Sequence, residues 1–527
     1  MKETVRNKKQ QSRGIDFNLS TAKSILWTFL LINIAFLFHT VNFMYGDHDW
    51  NYVRYANYWN EGAFEGRPLH FLLQSILFSG QVLPLLNNMV SFAAMALSGV
   101  LLARYWHITT GTLKNTLFSS FIAVLPYTLV WLFYAKDSLI NLSLPLIAIS
   151  GLTLVDREKT VKKISYHIMA ILLFYFCLAS YAAVINLLTV CILGEMLISY
   201  LDGRNITSLI KQKILPVLDI AIALLLFKLT LSLITISSEY NTQIIPFDIL
   251  PQKLATTCRV MLLQWIVPLP FIDIIYKLCL LVLCLLGMVI AFYHGGPKKI
   301  IGALILIIAS LFCSKLAYFM ADERGHILAQ MENFAFVGRL DFYGLVYLYG
   351  LGLALIMKFA KGYIYKIGIA FAIIITFMSI VRDMYAQKVW KLGFDAEMKV
   401  HERIVARIEQ QPQFQAKQKY RLLQIGSLSL RKNYYREKAG EETSLDLLAT
   451  SFTPQYMSHI VYNFYYPEDI FYQNASVEDL SSKGKEFLRN TAQVWPQQPS
   501  IYIDNDIIII VLTEKGLSEA KTKLHSD

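Results

Sequence analysis

The sequence predicts an α-helical polytopic membrane protein of about eleven transmembrane helices, followed by a small C-terminal extracytoplasmic α/β domain. Hydrophobic residues fill 55% of the 527 positions and charged residues only 17%, with mean hydropathy +0.43. A soluble domain carries about 25% charged residues. Apolar runs of the roughly 20 residues needed to cross a hydrocarbon layer recur through the first three-quarters of the chain. After Val381 these runs shorten and charge density rises. That change divides a membrane part, 1–381, from a C-terminal part, 382–527.

The expected spans lie near 24–45, 84–104, 115–134, 138–155, 164–182, 184–201, 214–236, 272–293, 300–319, 342–360 and 363–381. Basic residues collect in alternate turns. Arg6, Lys8, Lys9 and Arg13 precede the first span, and Arg157, Lys159, Lys162 and Lys163 follow the fourth. Arg204, Lys211 and Lys213, then Lys298 and Lys299, then Lys358, Lys361 and Lys366 continue the pattern. The positive-inside rule places these turns and the N-terminus in the cytoplasm. The first outer loop, 46–68, and the C-terminal part then lie outside.

Ser24–Tyr45 is long enough to span and has no small-residue cleavage site after it, so it reads as a start-transfer helix. The formal charge of +11 is largely used in the cytoplasmic turns, which removes the case for a nucleic-acid partner. Cys177, Cys191, Cys279, Cys284 and Cys313 fall inside apolar spans and only Cys258 is near an outer loop, so neither a disulfide framework nor a metal-ligand spacing is present. In the C-terminal part Ala386–Gln410 has the apolar repeat of an amphipathic helix. Tyr420–Leu428 reads as a strand, and Ile501–Thr513 as one or two strands turning at Asp504-Asn505-Asp506.

Four outer groupings carry candidate chemistry. Asp47-His48-Asp49 closely follows the first span and leads into Trp50, Tyr52, Arg54, Tyr55, Tyr58 and Trp59. A carboxylate shielded at the bilayer edge can serve as a general base on a sugar hydroxyl, or hold a divalent cation, Mg or Mn. No cofactor is required by the pattern. Next, Gly66-Arg67-Pro68 opens an apolar stretch suited to a short helix along the membrane, where Arg67 can meet a phosphate or one of the loop acids. Lys136 and Asp137 occupy a tight outer turn, with a lysine on the side where the charge rule disfavours one. The last grouping is cationic: Lys228, Arg259, Lys315, Arg324, His326 and Arg339. Lys228 and Lys315 fall within apolar runs, where an ionisable group is costly and marks a functional site.

Asp47-His48-Asp49, Gly66-Arg67-Pro68, Tyr134-x-x-Asp137-Ser138 and the tail beginning Arg382-Asp383 resemble the bacterial O-antigen serotype-converting glucosyltransferases, of the GT-C class of polyprenyl-phosphate-dependent membrane glycosyltransferases. The resemblance covers most of the membrane region. It implies a GT-C-like fold and an inverting hexosyltransferase of the bacterial inner membrane. The donor would be an undecaprenyl-phosphate sugar, typically glucose, and the acceptor a lipid-linked O-antigen or related glycan on the periplasmic side. The acidic first-loop position of the class falls on Asp47 or Asp49, and the outer cations would hold the departing phosphate, with bilayer lipids around the whole. A flippase or transporter of lipid-linked sugars, or an O-antigen polymerase, would share this topology. A transporter predicts repeated halves, and the sequence has no clear internal repeat.

Overall fold

The computed structural model describes residues 19–42, 44, 49, 66–108, 111–156, 164–234, 247–269, 271–321, 334–426 and 458–526. Asp47, His48, Arg54, Arg324 and His326 lie outside the described residues.

In hydrocarbon every backbone N–H and C=O must be paired within the chain, so the apolar runs become helices. In chain order these are α1 (Leu19–Val41), α2 (Leu72–Phe78), α3 (Pro84–Tyr105), α4 (Thr112–Ala123) and α5 (Ala135–Val155). Then follow α6 (Ile164–Ser180), α7 (Val184–Leu201), α8 (Ile206–Leu233), α9 (Leu250–Leu263), α10 (Ile274–Gly295) and α11 (Pro297–Cys313). The series closes with α12 (Phe334–Tyr343), α13 (Leu345–Phe359) and α14 (Gly362–Glu409). Among the described residues eight helices are long and apolar enough to cross a membrane, or nine if α4 and the bent segment Pro126–Leu132 form one broken span. Two further helices, α6 and α11, have 17 residues each and fall just short.

Burial sorts these helices. The span Gly338–Phe359, made of α12 and α13, is 94% buried, whereas α8 and the membrane part of α14 are 28% buried. A helix that is apolar on all sides belongs inside the bundle, and α13, LVYLYGLGLALIMKF, is of this kind. Small residues let neighbouring backbones approach it. A Cβ on Gly287 of α10 would stand 2.4 Å from the carbonyl oxygen of Gly352. At the α12–α13 junction a Cβ on Gly344 would stand 2.1 Å from the carbonyl oxygen of Ser314, so only glycine permits that contact.

The boundary expected after Val381 is a change of surroundings within one helix. The 48-residue α14 runs unbroken from the apolar run into the amphipathic stretch expected at Ala386–Gln410. Arg382 pairs with Asp273 at 2.6 Å, and Asp273 caps α10 by accepting the Tyr276 N–H at 2.8 Å. Further along, Trp390 packs on His39 of α1 and edge-on to Phe133. The end of α14 then supplies Ile404, Val405 and Ile408 to a second core.

That core is built on four strands, β1 (Tyr420–Ile425), β2 (Phe471–Asn474), β3 (Ile501–Asp504) and β4 (Ile507–Val511), in the order β2-β1-β4-β3. β1 runs parallel to β2 and β4, while β3 and β4 form a hairpin with Asn505 at φ 56° in its turn. Alternate side chains take opposite faces. Leu422, Ile508 and Ile510 pack with the end of α14, and Leu423, Ile507, Ile509 and Val511 pack with α15 (Glu514–Ser526). A sheet covered on both faces explains why β4 is uniformly apolar.

Candidate active site

The head of α5 organises the site. The first N–H groups of any helix lack intrahelical acceptors, and the side chain of Tyr134, at the cap position, does not cap them. Asp49 meets that need from the first loop: its two carboxylate oxygens accept the N–H groups of Ala135 at 2.9 Å and Lys136 at 3.0 Å. A negative charge is also favoured there by the helix dipole. Asp49 is fully buried, so the contact is shielded from water.

Asp137, one residue further, receives a second partner. His70 Nε2 lies 2.8 Å from Asp137 Oδ1, and His70 Nδ1 lies 3.1 Å from the carbonyl oxygen of Ser180. A carbonyl only accepts, so Nδ1 carries a proton. Nε2 then either donates to an ionised Asp137 or accepts from a protonated one. Since Leu69 N–H also donates to the Ala179 carbonyl at 3.2 Å, the Gly66–Leu69 segment is fastened to the end of α6 and the start of α5.

Three of the expected cations surround this head and rest on aromatic rings. Arg67 lies over Tyr181 at 5.1 Å, Lys136 over Phe71 at 6.0 Å and Arg339 over Tyr134 at 5.5 Å. Such contacts hold a cation in place. Trp131 meets Tyr181 edge-on at 5.1 Å, and Tyr181 packs on Tyr343 at 5.6 Å, extending the aromatic wall inward. The Tyr343 hydroxyl donates to the Asn141 carbonyl at 2.9 Å.

A second polar group lies deeper. Lys315 forms a fully buried ion pair with Asp341, and its ammonium sits 5.0 Å over the Tyr318 ring. Lys277, also buried, donates to the Gln264 carbonyl at 2.9 Å and to that of Val267. Lys277 is within electrostatic reach of Asp341 and Lys315, and Tyr318 within reach of Asp341 and Tyr181. Tyr181 thereby connects the two groups.

The structure thus brings Asp49, Arg67, Lys136, Asp137 and Arg339 together and places Lys315 next door. Lys228 and Arg259 do not join them: Lys228 lies on the exposed side of α8 and Arg259 on the exposed side of α9. Lys228 and Lys315, both set within apolar runs, thus have different surroundings, the first exposed and the second fully buried. His70, Lys277 and Asp341 are additions to the sequence reading. Asp341 stands just before the expected span 342–360, where a charge reads as a span boundary, Lys277 falls within the expected span 272–293, and His70 is followed at once by an apolar stretch. For Lys277 and Asp341 the signal is the apolar stripe each continues along its span. As for a divalent cation, no three His, Cys, Asp or Glu side chains group as ligands among the described residues. Both oxygens of Asp49 are already committed to backbone N–H groups.

Residues 36–324 match the family model described as glucosyl transferase GtrII. Comparison with curated proteins and with solved structures gave no match.

Proposed function

Because the chain belongs to the glucosyl transferase GtrII family of serotype-converting glucosyltransferases, we propose that it moves a hexose, foremost glucose, from a polyprenyl-phosphate sugar to a lipid-linked O-antigen or related glycan. The reaction takes place on the periplasmic face of a bacterial inner membrane. The observation that supports this reading best is the convergence of a capped helix head, a hydrogen-bonded His70–Asp137 pair and three ring-supported cations at one end of α5. Aromatic surfaces suit a sugar, and fixed cations suit a phosphate.

Asp47 is the base in this reading and Asp49 the anchor, because Asp49 already spends both oxygens on Ala135 and Lys136. Asp47 takes the proton from the acceptor hydroxyl as that oxygen attacks the anomeric carbon. The bond from that carbon to the phosphate oxygen breaks on the opposite face, which inverts the centre and releases polyprenyl phosphate. The negative charge gathering on the phosphate is met by cations already in place, the arrangement that lowers a barrier most. A divalent cation at the loop would draw on Asp47, and the displacement is complete without a step through it.

The membrane topology in this reading is GT-C-like with eleven spans, N-terminus inside and C-terminus outside. Eleven follows from the eight long helices when the bent segment counts as one more span and α6 and α11 are included. The test is sugar transfer in membranes from polyprenyl-phosphate glucose to a lipid-linked glycan. Transfer by the wild type and its loss in Asp47→Asn is expected; equal transfer by both would end the assignment of the base.

A further inference from the structure

Three helices carry apolar stripes that each end, at the same side of the bundle, in a charged residue. On α10 the stripe Leu281, Cys284, Met288 continues upward to Lys277 at helical spacing. On α11 Ile307 and Leu311 lead toward Lys315, in the turn just past the end of the helix. On the span Gly338–Phe359, Leu355 and Leu348 lead back to Asp341. Between the stripes lies a cavity of about 150 Å3. Its lining includes Trp265, which lies in the chain between Gln264 and Val267, the two residues whose carbonyls hold the Lys277 ammonium.

From this juxtaposition we infer that the cavity receives the isoprenoid chain of a single-chain lipid monophosphate, and that Lys277, with the Lys315–Asp341 pair beside it, binds the phosphate. This rests on the lipid-phosphate donor reading above and adds to it the place, the head-group ligand and the basis of chain selection. The charge balance is the first reason. Lys315 and Asp341 cancel, so Lys277 leaves the group with one net positive charge next to an apolar slot. A buried excess cation is costly unless a counter-charge arrives, and a phosphate monoester supplies one. An ammonium has three donors, of which two meet backbone carbonyls here. The third is the donor for phosphate.

Shape is the second reason. A dry cavity of this size takes an apolar group of about six carbons, as far as the first isoprene unit or so of a longer chain running on into lipid. The slot is one side-chain stripe wide on each helix, which suits one chain and disfavours the two chains of an ordinary phospholipid. Asp341 is a positioning residue in this arrangement: it fixes Lys315.

The full-length protein in detergent is tested by native mass spectrometry with a polyisoprenyl monophosphate and, separately, with dioleoyl phosphatidic acid. Wild type should retain the isoprenyl phosphate and bind phosphatidic acid at least tenfold more weakly. Lys277→Met should weaken isoprenyl phosphate binding at least tenfold, Lys277→Arg should restore most of it, and Leu348→Trp, which fills the slot, should weaken it without touching a charge. Each variant is first checked for a cooperative melt near that of wild type. If wild type binds the isoprenyl phosphate and both Lys277→Met and Leu348→Trp bind it equally well, this site is wrong while the donor reading stands. Equal retention of phosphatidic acid, lost in the same variants, would make the slot a general phospholipid site and overturn the inference. No binding of isoprenyl phosphate by wild type would remove the donor reading itself.

Discussion

The carboxylate of Asp49 accepts the backbone N–H of Lys136 at 3.0 Å across 87 positions of sequence. The loop after α1 is thereby tied to the head of a buried helix, and the two acids of Asp47-His48-Asp49 acquire different expected behaviour. Asp49→Ala leaves two buried N–H groups without their acceptor. An unsatisfied buried donor costs about 1–3 kcal/mol, so thermal unfolding in detergent should shift down clearly. Asp49→Asn keeps one carbonyl acceptor and should shift less.

Asp47→Asn should leave the melting temperature within error of wild type and lower transfer by about 10²–10⁴, the usual worth of a general base. The two acids are separated by measuring melting and turnover on the same preparations. Coincident effects on both readouts at both positions would contradict the division of labour.

Breaking the buried Lys315–Asp341 pair from one side strands a charge. Lys315→Met should destabilise by about 3–5 kcal/mol, and Lys315→Met combined with Asp341→Leu should recover much of that loss. A double-mutant cycle on thermal or denaturant unfolding measures the coupling. Additive effects would mean that the pair is not an energetic unit.

In the C-terminal part the Arg421 guanidinium bonds to Asp506 at 2.9 Å and holds its carboxyl below the usual carboxylate range. A group whose folded value is depressed adds stability above its unfolded value, near 3.8 here, and that stability is lost as pH falls through the folded value. The pair is partly exposed to solvent, so its worth is at most about 1 kcal/mol. Arg421→Met should therefore increase proteolytic opening of this part at pH 7, and the difference from wild type should shrink below about pH 4.

A reporter fused after Asp527 should be active only outside the cytoplasm, and one fused at the N-terminus only inside. Activity of both on one side would require an even number of spans, and either α6, α11 or the bent segment would then stay within one leaflet.

The sequence made the helices legible because lipid demands about 20 apolar residues for each crossing and forbids unpaired backbone. The Asp504-Asn505-Asp506 turn was equally plain, since a polar triplet between isoleucine runs has few other uses. Residue partners were less accessible. Lys315 advertised itself as a charge in an apolar run, but its partner Asp341 sat at a span edge and looked like a boundary. Asp49 could be placed beside a membrane surface from spacing, whereas its contact with Ala135 and Lys136 depends on how α5 packs. Nor could spacing tell that Lys228 and Arg259 face away from the bundle interior. Apolarity is uniform around α8, LLLFKLTL, and gives no inward direction.

The unbroken α14 makes the C-terminal sheet's bearing a matter of helical phase. At about 1.5 Å and 100° per residue, its 48 residues form a rod about 72 Å long with no joint between Trp390, seated against α1 and Phe133, and Ile404, seated under the sheet. One residue inserted after Ala396 would turn everything beyond it by about 100° while lengthening the rod by only about 1.5 Å. Seven inserted residues would nearly restore the bearing but raise the sheet by about 10 Å. Azimuth and height can thus be varied separately in this protein, and whichever one transfer depends on reports whether the facing of the sheet or its height bears on the reaction.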